Sequence, residues 1–328
     1  MERIRIECLE RDVARIGLGT WSIGGLFWGG TPEAQAVATI RAALDLGIDL
    51  IDTAPVYGHG RAEELVARAL REHGRDRDTV VIATKCGLDW DDHGDWVDGR
   101  PQRVLAEVEQ SLRRLRTDAI DIYFVHWPDP LVDVRQTAEA MERLWSRGVI
   151  RAIGVSNFDV ARLELFRQAA PVHACEPPYN LFERGIEREL LPYCREHGIF
   201  VTAYGPLCRG LLGGRMTADT SFGDDDVRRS DPKLQPPRLD RYLAAVRALD
   251  AIARERWQSD VATLALRWAL DTPGIDVALL GARRPEHLEL VRRADDIVLD
   301  EEACVEVGAV LDGIPHLDAP DFLAPPTR

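Results

Sequence analysis

Eight short apolar segments alternate with segments of helical period along the 328 residues of this chain. The apolar segments are hydrophobic throughout and rich in β-branched residues, which is typical of strands buried on both faces of a parallel sheet. They read ARIGLG, GIDLID, TVVIATK, AIDIYFVH, IRAIGVSN, VHACE, GIFVTAY and IDVALLG, and helices are predicted near 32–46, 62–73, 101–116, 135–147, 159–168, 184–196, 241–256 and 285–294. Eight such units without a Pro-, Ser- or Gly-rich linker predict an α/β fold, a (β/α)8 TIM barrel forming one domain over residues 1–328.

A doubly wound sheet is the rival architecture for such an alternation. Its dinucleotide fingerprint, GxGxxG between the first strand and helix, is not completed here, because Gly17-Leu18-Gly19 is followed by Thr20-Trp21-Ser22. Two segments exceed the minimal barrel, a long loop over about 205–240 and a C-terminal helix within DEEACVEVGAVLDG. Loops of that length in a compact domain are usually lids, binding loops or disordered segments.

Composition and charge restrict the partners of the protein. A net charge of −14, with both signs interspersed, provides neither the basic surface that nucleic acid requires nor an attraction to an acidic membrane. The amino terminus, MERIRIECLE, has no apolar signal segment and no long apolar run occurs elsewhere, so we expect a cytoplasmic protein. The six cysteines and eight histidines lack disulfide or metal-site spacing, so we expect reduced thiols and no bound metal.

The choice of basic residues is unusual. Of 41 basic side chains only Lys85 and Lys233 are lysine, and all the others are arginine. A lysine in such a sequence is expected where arginine will not serve. Lys85 ends the apolar run VVIATK and meets that expectation, whereas Lys233, in the polar segment SDPKLQPPR, is interpreted as an incidental surface lysine.

Polar residues stand where the predicted strands end, and in a parallel barrel function gathers at those carboxyl ends. They are Asp52, Lys85, His126, Ser156, Asn157, Glu176 and Tyr204, with Gly281 ending the last strand and Tyr57 five residues past Asp52. Taken singly, Asp52 could cap a turn, and Tyr57 or His126 could be a packing residue. Together, Asp, Lys and His at three strand ends with Tyr on an adjoining loop indicate a proton-transfer group.

Each member of this group has a physical role. A lysine ammonium at about 4 Å would stabilise the Tyr57 phenolate by roughly 4 kcal/mol at an effective dielectric near 20, lowering a phenol pKa of ~10 toward a useful range. A carboxylate such as Asp52 is needed to keep a buried lysine charged. His126 can donate a hydrogen bond to a carbonyl oxygen as hydride arrives. The planar guanidinium of arginine differs in shape from the Lys85 ammonium, which explains the retained lysine.

The motifs that contain these residues resemble the aldo-keto reductase family. DTAPVYGHG followed by RAEELVARAL resembles the family signature, ATKCG supplies the lysine, and IDIYFVHWPD supplies the histidine. The motifs GVSNF, PPYNL, YGPLCRGLLGG and LLGARRPEHL follow in the family's order, so the resemblance spans about residues 15–312. It implies a (β/α)8 barrel, a nicotinamide cofactor bound without a Rossmann domain, no metal, and Tyr57 as general acid/base assisted by Lys85, Asp52 and His126.

The resemblance also implies which residues bind the cofactor. Ser156 and Asn157 match the pair that bonds the nicotinamide carboxamide, and Tyr204 matches the ring that stacks on the nicotinamide. The other matches are Thr20 and Trp21 near the ribose, Gly205, Leu207, Arg209 and Arg215 in a flap over the pyrophosphate, and Gly281, Arg283 and His287 at the adenosine phosphate. Backbone amides and arginine suit a diphosphate.

Two positions depart from the family pattern. The family usually has glutamine where this chain has Glu176, whose carboxylate can accept from the carboxamide but cannot donate, and whose charge would favour the oxidised nicotinamide. The Glu-Asn pair usual near the end of the adenosine-site helix is Leu290-Val291 here, which puts the adenine contacts in question. NADP(H) is favoured over NAD(H), because Arg283 and Arg284 could clasp a 2′-phosphate, although neighbouring arginines are also common solvated charges in this chain.

These features predict an NAD(P)-dependent oxidoreductase acting on an aldehyde, ketone or sugar carbonyl, or on the corresponding alcohol. The candidate substrate walls are aromatic: Trp21, Phe27, Trp28, Trp90 and Trp127. The alternative is a nucleotide-sensing regulatory or binding subunit on an aldo-keto reductase-like barrel, since some relatives of this fold are subunits of membrane channels. An unrelated phosphate-handling barrel enzyme would not need the Tyr–Lys pair. No sequence pattern marks an oligomer interface, so no oligomeric state is predicted.

Overall fold

A computed structural model describes residues 1–314 and 323–327 of the chain. Its strands are β1 (Arg3–Ile6), β2 (Arg11–Ala14), β3 (Ile16–Gly19), β4 (Leu50–Asp52), β5 (Val81–Cys86), β6 (Leu88–Asp91), β7 (Gly94–Val97), β8 (Ile120–Val125), β9 (Ile150–Ser156), β10 (Ala174–Glu176), β11 (Phe200–Tyr204) and β12 (Val277–Gly281). A closed barrel has the strand order β10-β11-β12-β3-β4-β5-β8-β9, and every neighbouring pair in it is parallel. The prediction of a (β/α)8 barrel is therefore confirmed.

Helices surround the barrel. They are α1 (Trp21–Gly24), α2 (Glu33–Asp45), α3 (Arg61–His73), α4 (Pro101–Leu115), α5 (Val134–Ser146), α6 (Val160–Arg167), α7 (Leu190–Glu196), α8 (Arg238–Trp257), α9 (Val261–Asp271), α10 (Glu289–Arg293) and α11 (Glu301–Asp312). Helix α7 begins later than predicted, because Gly185–Glu187 forms a separate 3-10 turn. Helix α9 and the hairpins β1–β2 and β6–β7 were not predicted from the sequence.

The barrel strands are buried because helices cover their outer face and packed side chains fill the inside. All six residues of β5 and all six of β8 are buried. This burial on both faces explains why these strands are hydrophobic throughout, as the sequence indicated.

One end of the barrel is closed by the amino-terminal hairpin. Strands β1 and β2 pair in an antiparallel register that sets Ile4 opposite Val13. Ile6 and Val13 pack into the same apolar cluster as Leu50 and Val277 inside the barrel. The opposite end, formed by the carboxyl ends of the strands, is thus the one left open for a site. Within the described residues, no helix combines the length and apolar character needed to cross a membrane.

Candidate active site

Side chains two residues apart on a strand point to the same face, and this alternation places a polar layer at the open end of the barrel. On β5, Val81 and Ala83 belong to the apolar cluster inside the barrel, and Lys85 continues the same face two residues later. Asp52 follows Leu50 on β4 in the same way, and Glu176 follows Ala174 on β10. The side chains of Asp52, Lys85 and Glu176 therefore meet above an apolar interior.

Lys85 is the centre of this layer. Its fully buried ammonium contacts two carboxyl groups, that of Asp52 and, at 3.0 Å, Oε1 of Glu176. It also lies 5.3 Å from the centre of the Tyr57 ring. Burial alone would lower the pKa of Lys85, but Asp52 and Glu176 together raise it above its ordinary value, so the ammonium stays charged.

Tyr57 is held as an un-ionised phenol. Burial raises its pKa above the ordinary value, Asp52 and Glu176 raise it further, and the ammonium of Lys85 opposes them without prevailing. The lowering of this pKa that the sequence suggested is therefore reversed in the structure. The main reason is that the site is dry, and a second carboxyl group beside the lysine adds to the effect once it ionises.

His126 completes the group around Tyr57. Its ring meets the Tyr57 ring edge to face, with 5.7 Å between the ring centres. Burial, assisted by the positive charge of Lys85, holds the pKa of His126 well below its usual value. A neutral imidazole offers one N–H donor, which is what orientation of a carbonyl oxygen requires.

Two glycines let the loop that carries Tyr57 approach helix α1. A Cβ added at Gly24 would lie 2.6 Å from the backbone carbonyl of Tyr57, and one added at Gly58 would lie 2.4 Å from the carbonyl oxygen of Gly24. Gly58 also has a φ of +68°, a backbone conformation that residues with a side chain rarely adopt. The position of Tyr57 thus depends on backbone packed directly against backbone.

A chain of hydrogen bonds fixes the polar groups next to this cluster. Ser156 Oγ donates to the backbone carbonyl of Glu176 at 2.8 Å, and Asn157 Nδ2 donates to the backbone carbonyl of His126 at 2.9 Å. The hydroxyl of Tyr204 donates to Asn157 Oδ1 at 2.9 Å. Asn157 has a φ of +61°, a conformation that asparagine tolerates better than most residues.

A cavity of about 1130 Å³ opens over these groups. It is lined by most of the residues that the sequence nominated: Trp21, Asp52, Tyr57, His126, Ser156, Asn157, Glu176, Tyr204, Gly205, Leu207, Arg209, Arg215, Gly281, Arg283 and His287. Lys85 and Thr20 are fully buried behind the lining. Of the five aromatic candidates for substrate walls, Trp21, Phe27, Trp28 and Trp127 line the cavity. Trp90 instead stacks on His59, with ring centres 4.9 Å apart.

Arg209 and Lys233 lie in a buried ionic network that the sequence did not predict. Arg209 donates to Glu183 and to Asp231, each at 2.7 Å, and Lys233 pairs with Glu183 at 2.7 Å. The interpretation of Lys233 as a surface lysine is therefore wrong, because its side chain is 2% exposed. The guanidinium of Arg209, 4% exposed, is paired with these carboxylates, and the residue also lines the cavity. The network joins the beginning of the 205–240 loop to its later part.

Basic side chains gather at the far end of the cavity. Burial first, and then the charges of Arg215, Arg284 and Arg283, hold the pKa of His287 below its usual value. Arg283 uses two donors within the protein, bonding the carbonyl oxygen of Gly30 at 2.5 Å and Thr31 Oγ1 at 3.3 Å. Leu290 and Val291 stand where the family usually has a Glu-Asn pair. Leu290 lines the cavity, and Val291 packs into the core.

Some lining residues were missed by the sequence analysis. Residues 323–326 and residues 93–95, in the turn between β6 and β7, also line the cavity. The carbonyl oxygen of Pro326 accepts from the amide of Val97 at 2.9 Å, which holds the two segments together. A Pro-rich tail carries no sequence signal for such docking. In the part of the chain that the structure describes, no group of three His, Cys, Asp or Glu side chains is placed to bind a metal ion.

Comparison with known proteins identifies the family to which this chain belongs. The Aldo/keto reductase family model matches residues 15–312. Aldo-keto reductase YhdN from Bacillus subtilis is 50% identical over 329 residues, which cover 100% of this chain and 99% of that protein. The structure of a glycerol dehydrogenase from Gluconobacter oxydans is 44% identical with a TM-score of 0.87, covering 98% of this chain and 99% of that one. An NADH-specific methylglyoxal reductase from Escherichia coli is 34% identical, covering 88% of this chain and 91% of that protein. The chain therefore belongs to the aldo/keto reductase family, as its motifs predicted.

Proposed function

We propose that this oxidoreductase transfers hydride between a nicotinamide cofactor and the carbonyl or alcohol carbon of an aldehyde, a ketone or a sugar, with Tyr57 as general acid/base. The observation that carries the proposal is the position of the Tyr57 ring at the cavity, beside the ammonium of Lys85 and edge-on to His126. A structural tyrosine would need neither a buried charge nor a neutral imidazole next to it.

The residues around the cavity fit a nicotinamide dinucleotide. Near Tyr57, Oε2 of Glu176 is buried and has no hydrogen-bond partner among the described residues, so a polar group of a ligand can satisfy it. At the far end, Arg215, Arg283 and His287 line the cavity and suit phosphate groups. The bound nicotinamide would supply or accept the hydride.

The protein's own residues manage the proton. In the reductive direction the phenol of Tyr57 donates its proton to the carbonyl oxygen, and Lys85 stabilises the phenolate that forms. Neutral His126 donates a hydrogen bond to the same oxygen and so orients it. In the oxidative direction the Tyr57 phenolate accepts the proton of the alcohol. Because Lys85 is fully buried, solvent screens its attraction to the Tyr57 phenolate only weakly.

We favour NADP(H) over NAD(H) as the cofactor. The support is the group of positive side chains that surround His287, namely Arg215, Arg283 and Arg284. Arg283 spends two donors on Gly30 and Thr31, and its remaining N–H groups are left for a 2′-phosphate. The E. coli relative is named as NADH-specific, so the preference for NADP(H) is argued here from these basic side chains and not from that relative.

The substrate is proposed to be a small carbonyl compound, alcohol or sugar. Trp21, Trp28 and Trp127 line the cavity and offer flat apolar faces for a sugar ring or an alkyl chain. Trp21 meets Trp28 edge to face, with ring centres 5.2 Å apart, so these walls are mutually packed. Two relatives are named for glycerol and methylglyoxal, which supports a small oxygen-bearing substrate.

Replacement of Tyr57 by phenylalanine tests the proposed reaction. Purified protein is first screened with NADPH and NADH against aldehydes, aldoses and their alcohols by nicotinamide absorbance. Tyr57→Phe should bind the preferred cofactor like the parent, measured by fluorescence, and should lose turnover by a factor of about 10² or more, because the proton donor is gone. A variant that turns over like the parent would refute the assignment of Tyr57.

Replacement of Arg283 by alanine tests the cofactor preference. Loss of a charge-assisted hydrogen bond worth about 1.5 kcal/mol should weaken NADPH binding about tenfold and leave NADH binding nearly unchanged. Arg162→Ala is the matched control, since Arg162 is an exposed arginine paired with Asp159 on the protein surface. Equal losses for both cofactors would remove Arg283 from the phosphate site.

A further inference from the structure

With Glu176, the site contains two buried carboxyl groups but only one ammonium group. The side chains of Asp52, Lys85 and Glu176 are 5%, 0% and 2% exposed, and both carboxyl groups pair with the single ammonium of Lys85. Both carboxyl groups therefore lie against the same nitrogen atom, so each one is close enough to alter the pKa of the other.

Electrostatics favours that extra proton. Two carboxyl groups held against one ammonium in a dry site cannot both ionise without a large cost, because the single ammonium balances only one negative charge. Burial and the negative charge of Asp52 raise the pKa of Glu176 well above its usual value, against the opposing effect of Lys85. The cluster is neutral overall only with one shared proton.

The remaining titratable groups around Glu176 add no compensating charge. Burial raises the pKa of Tyr57 and of Tyr204, and a hydrogen bond with Cys194 together with burial raises that of Cys175. His126 is neutral. The extra proton thus belongs to the two carboxyl groups. It is assigned to Glu176 because Glu176 Oε2 has no donor within the described residues and gains a partner if it becomes a donor itself.

We propose that Glu176 is an un-ionised carboxylic acid at neutral pH and acts as a positioning residue for the Lys85–Tyr57 pair. In this state it adds no negative charge beside Lys85 and leaves the charge of Lys85 available to the Tyr57 phenolate. When Glu176 loses its proton to solvent at higher pH, a second negative charge lies beside Lys85 and makes Tyr57 a weaker acid. Carbonyl reduction is then expected to fall on the alkaline side. This inference rests on the proposed function only where turnover is the readout.

Infrared spectroscopy of the cofactor-free protein tests the proton directly, because the carbonyl stretch of a carboxylic acid is resolved from that of a carboxylate. The parent should show a carboxylic-acid band at neutral pH that Glu176→Gln lacks and that disappears as pH rises. Glu107→Gln is the matched control, since Glu107 is also a buried glutamate, and burial raises its pKa to about 8. That variant should lose a different band and keep the band of Glu176.

The pH profile of turnover tests the consequence. In the parent, kcat/KM for reduction should fall by about tenfold as Glu176 ionises and then level off, and Glu176→Gln should remove this alkaline limb while remaining active. Glu107→Gln should keep the limb. The inference is overturned if Glu176→Gln retains the infrared band, if it retains the limb, or if the parent has no such band at neutral pH. Failure of the proposed function would instead appear as undiminished turnover in Tyr57→Phe, which leaves the infrared result unaffected.

Discussion

Replacing Lys85 by methionine tests the charge arrangement at the heart of the site. Methionine keeps an unbranched apolar chain but removes the ammonium that lies 5.3 Å from the centre of the Tyr57 ring. At about that distance and an effective dielectric near 20, the attraction between ammonium and phenolate is about 3 kcal/mol, or about two pKa units of Tyr57. Reduction should therefore slow on the order of 10²-fold. Both kcat and kcat/KM should fall, because the attraction grows only as the proton leaves the phenol.

The assay is steady-state reduction with the best substrate of the screen, accompanied by thermal unfolding and cofactor titration. Lys233→Met is the matched control, since Lys233 is the other buried, ion-paired lysine but lies in the network of Arg209 and Glu183. It should lower the unfolding temperature and leave kcat of the folded protein unchanged. If folded Lys85→Met keeps kcat within about twofold of the parent, the electrostatic role of Lys85 is refuted.

Two further substitutions follow from burial and packing. Burial raises the pKa of Glu107 from 4.5 to about 8, so in that pH window the folded protein retains a proton that the unfolded chain has released, and stability falls as pH rises. Glu107→Gln should flatten this fall, measured as the free energy of unfolding in urea at several pH values, and an unchanged slope would contradict the assignment. Gly24→Ala places a carbon 2.6 Å from the backbone of the catalytic loop and should lower kcat on the order of 10²-fold, whereas Gly308→Ala, whose added carbon meets nothing within 4 Å, should not. Equal activity of the two glycine variants would show that the loop adapts freely.

Most of the barrel could be predicted because its strands obey a simple rule of burial. Strands such as β5 and β8 are buried at every residue, and this continuous hydrophobicity is visible in the sequence. Helix α9 was missed for the same physical reason: eight of its eleven residues are buried, so VATLALRWALD lacks the polar face that marks an amphipathic helix. The hairpin β6–β7 was missed because its strands, LDWD and GDWV, are short and polar.

The identity of the candidate site residues could be predicted from the sequence, but the balance of charges among them could not. Strand ends located Asp52, Lys85 and Glu176 at one rim, since the carboxyl ends of parallel strands meet there. No distance across the barrel between β10 and β5 can be read from a sequence. The contact between Lys85 and Glu176, and the rise in the pKa of Tyr57, therefore emerge only from the structure. Sequence alone also had no means to place Lys233 beside Glu183, some fifty residues earlier in the chain.

The burial of both lysines determines which reagents can modify this protein. Lys85 and Lys233 are the only lysines in the sequence, and both are enclosed in ion pairs. Succinimidyl esters and aldehydes therefore find no lysine to couple on the folded surface. Maleimides have two targets, the exposed thiols of Cys8 and Cys304, and Cys8 should react slowly because burial raises its pKa to about 11. Cys8 follows strand β1 of the hairpin that closes the barrel, so a support attached there would leave the mouth of the cavity facing the solution.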